Sequence, residues 1–151
     1  MTTITPVLWF DADLAEPLAY YAGIFPDFVV EHRQPAADGT IFMATLQIGG
    51  QRLMMINGGP AHAGFRESVS LFVSVEDQGE VDRLWELLTR EGEPGRCGWL
   101  KDRYGLSWQI VPRQLGEFLG GDDPVRVARA REAMLGMDKL VIEELRAAYD
   151  A

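Results

Sequence analysis

The sequence predicts an α+β protein: two successive modules, each a strand, a helix and three further strands, followed by a C-terminal pair of helices. Three observations lead there. An apolar run rich in strand formers precedes a capped helical segment and a series of alternating runs; that order returns from about residue 67; and the segment after residue 112 carries helical rather than strand periodicity. What repeats is the order of elements rather than the residues, and duplicated units of this kind imply two half-sheets packed around a shared cleft.

Module one spans about residues 3–58. Ile4 to Phe10 reads as its first strand, with Pro6 marking an edge or a first-residue position. Asp13-Leu-Ala-Glu16 supplies an acceptor and, three residues later, an acid, the signature of a helix start. Leu14, Leu18, Tyr21 and Ile24 or Phe25 follow at helical spacing, and Pro17 is tolerated because it falls in the first turn. Gly23 and Pro26 stop the helix, Phe28 to Arg33 resumes a strand, and Ala37-Asp-Gly39 turns into the alternating run Thr40 to Ile48. Gly49-Gly50 then leads into the strand Arg52 to Asn57.

Module two spans about residues 67–112. Val69, Leu71, Val73 and Val75 alternate with Ser68, Ser70, Phe72 and Ser74, as in a half-buried strand. Val81, Leu84, Trp85, Leu87 and Leu88 form a helical stripe ended by Gly92 and Pro94. Cys97 to Lys101 and Leu106 to Val111 form a hairpin around Asp102-Arg-Tyr-Gly105, with the module's third strand compressed near Arg96. In the tail, residues 113–151, Asp123-Pro124 caps one helix that stops at Gly136, and Asp138 is expected to cap a second carrying Leu140, Val141, Leu145 and Ala148.

Composition sets the outer limits. With 151 residues, 47% hydrophobic and 25% charged, the chain suits a single globular domain, residues 1–151. The 14 Lys and Arg against 23 Asp and Glu give a formal charge of -9, which repels phosphate backbones and anionic lipid, so neither nucleic acid nor a membrane is an expected partner. Cys97 stands alone and the only histidines are His32 and His62, too few for a zinc-type cluster. No apolar run approaches the roughly 20 residues of a membrane span, and Met-Thr-Thr-Ile-Thr-Pro lacks the basic and apolar regions of a secretory signal. A cytoplasmic location is expected.

Alternation also orients the candidate site. If Val69, Leu71, Val73 and Val75 face the helix carrying Leu84, Trp85 and Leu88, then Ser70, Phe72 and Ser74 face away, while Ser107, Gln109 and Val111 share one side of the last strand. Ser70, Gln109 and Asn57 are expected to converge as neutral hydrogen-bonding groups in an apolar cleft with Phe72, Met55 and Met43, and Trp99 is placed at its mouth. Cys97 reads as a small hydrophobe rather than a nucleophile, Asp102 as a turn former, and His62 as a loop residue within reach of a ligand.

Several strings go beyond pattern: Pro6-Val-Leu-Trp-Phe10, Gln51-Arg-Leu-Met-Met-Ile-Asn-Gly-Gly-Pro60, Cys97-Gly-Trp-Leu-Lys-Asp102, Gly105-Leu-Ser-Trp-Gln-Ile-Val-Pro112 and Ala133-Met-Leu-Gly-Met-Asp-Lys-Leu-Val-Ile142. Together they resemble the PhnB-like branch of the vicinal oxygen chelate (glyoxalase/bleomycin resistance/dioxygenase) superfamily, whose members carry the label 3-demethylubiquinone-9 3-methyltransferase domain. The resemblance implies paired βαβββ modules forming a cup-shaped sheet, a homodimer, and a small-molecule site in the cup.

The superfamily's metalloenzymes place His or Glu on four strands. The matching positions here are Pro6, Ser70, Gln109 and either Met55 or Asn57, none of them a good ligand for a divalent cation. No metal and no cofactor is therefore expected. A methyl donor nucleotide is usually cradled by a Gly-rich loop after the first strand, and Asp11-Ala-Asp-Leu-Ala-Glu16 has no glycine. The leading expectation is a metal-free protein that binds a small organic molecule, sequestering rather than transforming it. Two alternatives stay open: an enzyme of the superfamily, whether a metal-dependent isomerase, lyase or dioxygenase or the methyltransferase of the label, and a dimeric interaction module whose cup is filled by its own side chains.

Overall fold

In the computed structural model, which describes residues 1–151, strand β1 (Val7–Phe10) starts only after Pro6, whose carbonyl nevertheless accepts from Met54 N–H at 2.9 Å. A proline cannot donate to a ladder, so the strand opens where donors begin. The chain divides into two units, Met1–Gly64 and Phe65–Ala151.

The first unit continues through α1 (Ala15–Ile24), β2 (Val29–Pro35), β3 (Ile41–Ile48) and β4 (Gln51–Asn57). At the head of α1, Asp13 Oδ1 accepts from Ala15 N–H and from Ile41 N–H, each at 3.2 Å, so one carboxylate ties the helix start to the start of β3. The sheet order is β1-β4-β3-β2, with β1 parallel to β4 and the other pairs antiparallel. Register aligns Leu8, Met55 and Ala44, all buried, into one row, and Trp9, Ile56 and Met43, all half-buried, into the next. Buried Leu18, Tyr21 and Ile24 on α1 supply the apolar stripe that such a one-sided sheet needs.

The second unit repeats the plan with β5 (Ser70–Val75), α2 (Gln78–Thr89), β6 (Glu93–Pro94), β7 (Trp99–Lys101) and β8 (Ser107–Pro112), in the order β5-β8-β7-β6. Again the first and last strands of the module pair in parallel. The compressed strand expected near Arg96 lies slightly earlier, at Glu93–Pro94, and is two residues long. Asp77 caps α2, its side chain accepting from Glu80 N–H at 2.9 Å, a contact worth about 1 kcal/mol. Val81, Leu84 and Leu88 are the buried stripe of that helix.

The tail differs from expectation in two respects. It holds three helices rather than two: α3 (Gln114–Leu119) precedes α4 (Pro124–Leu135) and α5 (Ile142–Asp150). Asp123 caps α4 as expected, accepting from Val125 and Arg126 N–H. Asp138, however, does not cap α5, because its carbonyl accepts from Gly98 N–H at 2.7 Å and its carboxylate faces Arg96. The helix begins four residues later, where Gln78 Oε1, reaching over from α2, accepts from Ile142 N–H at 2.8 Å. Phe118, Ala130, Met137, Leu140, Ile142 and Leu145 form a core with Val111 of β8. The tail therefore packs on the end of the second sheet and has a core of its own. No helix is long and apolar enough to cross a membrane.

Candidate functional site

β5 and β8 pair so that Ser70 opposes Ser107 and Phe72 opposes Gln109, and β7 continues the rows with Lys101 beside Ser107 and Trp99 beside Gln109. Cross-strand partners share a face. Four of the residues expected to contact a ligand, Ser70, Phe72, Trp99 and Gln109, thus stand on one side of the second sheet. The other side carries Leu100, Trp108 and Ile110, exposed by 2% or less.

Gln109 Nε2 donates to Ser70 Oγ at 2.9 Å, a diagonal bond across the parallel pair that holds the amide upright on the open face. Phe72, two residues beyond Ser70, is 61% exposed. Above this face α3 and α4 supply Leu115, Leu119 and Met134, which with Phe72, Trp99 and Gln109 bound an open depression of about 410 Å3. Ser74 and Arg113, the latter paired with Glu76, complete the lining, and largely apolar walls around a fixed amide are the makings of a small-molecule site. The helical wall was not foreseen in the sequence, which gave no capped start for α3.

Cys97 lies beside Trp99 and lines the same depression. It adopts φ 57°, a left-handed conformation rare outside glycine. The strain is held by bonds to the tail: Cys97 N–H donates to Met137 O at 2.8 Å and the thiol to Met134 O at 3.5 Å. Next to it Gly98 is required twice over, by φ 85° and because a Cβ there would lie 2.9 Å from Ile110 O.

Asp102 is a buried structural acceptor. Its Oδ1 accepts from Tyr104 N–H at 2.9 Å and Leu106 N–H at 3.1 Å, and its Oδ2 from the Trp108 indole at 2.9 Å. Turn formation accounts for the two backbone bonds, as its sequence position suggested, while the third anchors the turn to the Trp108 indole of β8.

Met55 and Asn57 belong to the first unit. Met55 is fully buried in the row with Leu8 and Ala44, and Asn57 pairs with Phe10 at the end of the sheet. Met43 shares the adjacent row with Trp9 and Ile56. His62 rests edge-on against Trp9, 5.1 Å between ring centroids, while the Trp9 indole donates to Gly59 O at 2.8 Å. His32 is exposed on β2.

Metal chemistry needs a donor set that these faces do not offer. The chain gathers no group of three His, Cys, Asp or Glu side chains placed to hold an ion, and Ser70 and Gln109 are neutral and bonded to each other. The residues present do not fit a divalent cation.

Comparison with known proteins agrees with this architecture. Residues 2–111 match the family model described as 3-demethylubiquinone-9 3-methyltransferase. The chain is similar to the putative 3-demethylubiquinone-9 3-methyltransferase PhnB protein from Bacillus cereus, at 26% identity and a TM-score of 0.67, over 74% of this chain and 99% of that one. It is similar in fold to protein PA1353 from Pseudomonas aeruginosa, at 23% identity and a TM-score of 0.61, over 74% and 98% of the two chains. The fosfomycin resistance protein FosX from Listeria monocytogenes, solved with Mn(II) and sulfate, shares the fold at 14% identity and a TM-score of 0.57, over 79% and 95%. No curated protein matches the chain.

Proposed function

Since the chain belongs to the 3-demethylubiquinone-9 3-methyltransferase family, the PhnB-like branch of the vicinal oxygen chelate superfamily, we propose that it binds a small organic molecule on the open face of its second sheet without a metal ion. The observation that carries this reading is the Gln109–Ser70 hydrogen bond beside exposed Phe72 and half-buried Trp99. A face of aromatic and aliphatic groups around one oriented amide favours a flat, largely apolar ligand with one or two polar atoms.

The family's name describes a methyl transfer, and one feature of this chain points elsewhere. The β1–α1 connection, Asp11-Ala12-Asp13-Leu14, contains no glycine to let the backbone close on a nucleotide. We read the protein as a binder that sequesters its ligand, acting as a homodimer.

Thermal unfolding against a library of flat aromatic compounds tests the reading. A ligand at a hundred times its dissociation constant is expected to stabilise the chain by about 2.7 kcal/mol, and the gain should disappear in Trp99→Ala and Gln109→Leu variants that remain folded. A library without a single stabilising compound, or one whose compounds stabilise both variants as well as the parent, contradicts it. Light scattering at micromolar concentration tests the dimer: a monomer mass contradicts that part.

A further inference from the structure

The open face of the second sheet holds another depression, of about 420 Å3, which shares Trp99 and Cys97 with the first but is lined by charged and hydroxyl groups: Glu67, Glu93, Lys101, Ser107 and Arg96, the last paired with Asp138 of the tail. Three of these form one cross-strand row, since Lys101 opposes Glu93 on β6 and Ser107 on β8. Ser107 is 1% exposed, and its hydroxyl is buried without a hydrogen-bond partner. A hydroxyl left in that state is costly, and a native structure keeps one where something else satisfies it.

Beside Ser107 on the same face, Lys101 Nζ pairs with Glu67 Oε1 at 2.8 Å. The two partners are unequally anchored. Lys101 is fixed in β7, whereas Glu67 sits in the connection before β5 with its side chain 69% exposed. An exposed pair of this kind holds weakly and exchanges readily for another carboxylate. The hydrogen bond between them raises the Lys101 pKa and lowers that of Glu67, so both stay charged at neutral pH.

We propose that Lys101 and Ser107 form an anion subsite for the carboxylate of an organic acid whose apolar body lies against Trp99, with Glu67 the internal carboxylate that the ligand displaces. This rests on the reading of the face as a ligand site and names the ligand class. Exchange of Glu67 for a ligand carboxylate leaves the charge around Lys101 unchanged, Glu93 included, and gives the Ser107 hydroxyl an acceptor. A ligand ammonium would have to compete with Lys101, which belongs to the sheet itself.

The test compares three probes of one shape, phenylacetate, phenylacetamide and 2-phenylethylamine, titrated into the full chain and followed by amide chemical shifts at Lys101 and Ser107. Phenylacetate is expected to bind at least about fivefold tighter than the amide, and Lys101→Met to erase that difference. Glu67→Gln should tighten phenylacetate about fivefold, while Glu93→Gln, the same change in net charge, should alter it less than about twofold. Equal gains from the two Gln variants, or tighter binding of the amine, overturn the inference. Acid and amide binding equally against Trp99 overturns it too, yet leaves the binding face standing; failure of all three probes removes both together.

Discussion

Gln109 on β8 and Ser70 on β5 are joined by a 2.9 Å hydrogen bond across the parallel strand pair. The bond is partly buried and directional, and it fixes which way the amide faces. Replacing Gln109 with Leu removes the donor and leaves Ser70 Oγ alone, so the chain should lose about 1 kcal/mol of stability, read as a lower urea midpoint with an unchanged slope. Ligand affinity should fall by more than stability does, because the amide is the fixed polar group of the apolar depression.

The Asp102 carboxylate gathers three donors in a site only 2% exposed. Asp102→Ala strands all of them and should cost about 4 kcal/mol, whereas Asp102→Asn, which keeps one oxygen but turns an amide N–H2 toward another donor, should cost about 2 kcal/mol. Denaturant unfolding reads both. A loss below about 1 kcal/mol for the alanine variant would show that water replaces the carboxylate.

Gln78 links α2 to the tail, with Oε1 accepting from Ile142 N–H and Nε2 donating to Leu140 O and Asp82. In a Gln78→Ala variant the first turn of α5 loses its only cap. Amide exchange at Ile142 should accelerate about tenfold, a local cost of about 1.4 kcal/mol, while exchange in β8 stays unchanged.

Acid should loosen the same junction. The Lys139 ammonium, and after it the Gln78 amide, hold the Asp82 carboxyl below its usual range of 3.8. A carboxyl depressed in the folded state stabilises above its unfolded pKa, and that contribution is lost as pH falls through the folded value. Asp82→Asn should therefore be the less stable chain at neutral pH and equal to the parent in strong acid. The side chains are 37% and 48% exposed, so after solvent screening the neutral-pH difference is roughly a few tenths of a kcal/mol and shrinks with salt.

The second module was readable because its residues differ by parity. Val69 to Val75 interleaves aliphatics with Ser and Phe, so the face carrying Ser70 and Phe72 follows from the alternation alone. In β4 the run Leu53-Met54-Met55-Ile56 is apolar throughout and carries no such signal; the fold puts Leu53 and Met55 on the buried face, and Met54 and Ile56 on the half-buried one. The tail shows the same limit at longer range. α3 is six residues with Gly116 inside and no side-chain cap, held by buried Phe118 and by Gln114 Nε2 donating to Glu76 O. α5 is capped from a residue 64 positions away. Local propensity cannot report either contact, and with them it missed the helical wall over the site.

The central claim is that small organic molecules bind on the open face of the second sheet. Crystals soaked with a set of flat aromatic fragments test it most directly. The account predicts fragments seated between Phe72, Trp99 and Leu115 with a polar atom at the Gln109 amide; fragments that gather elsewhere on the molecule, with this face empty, contradict it.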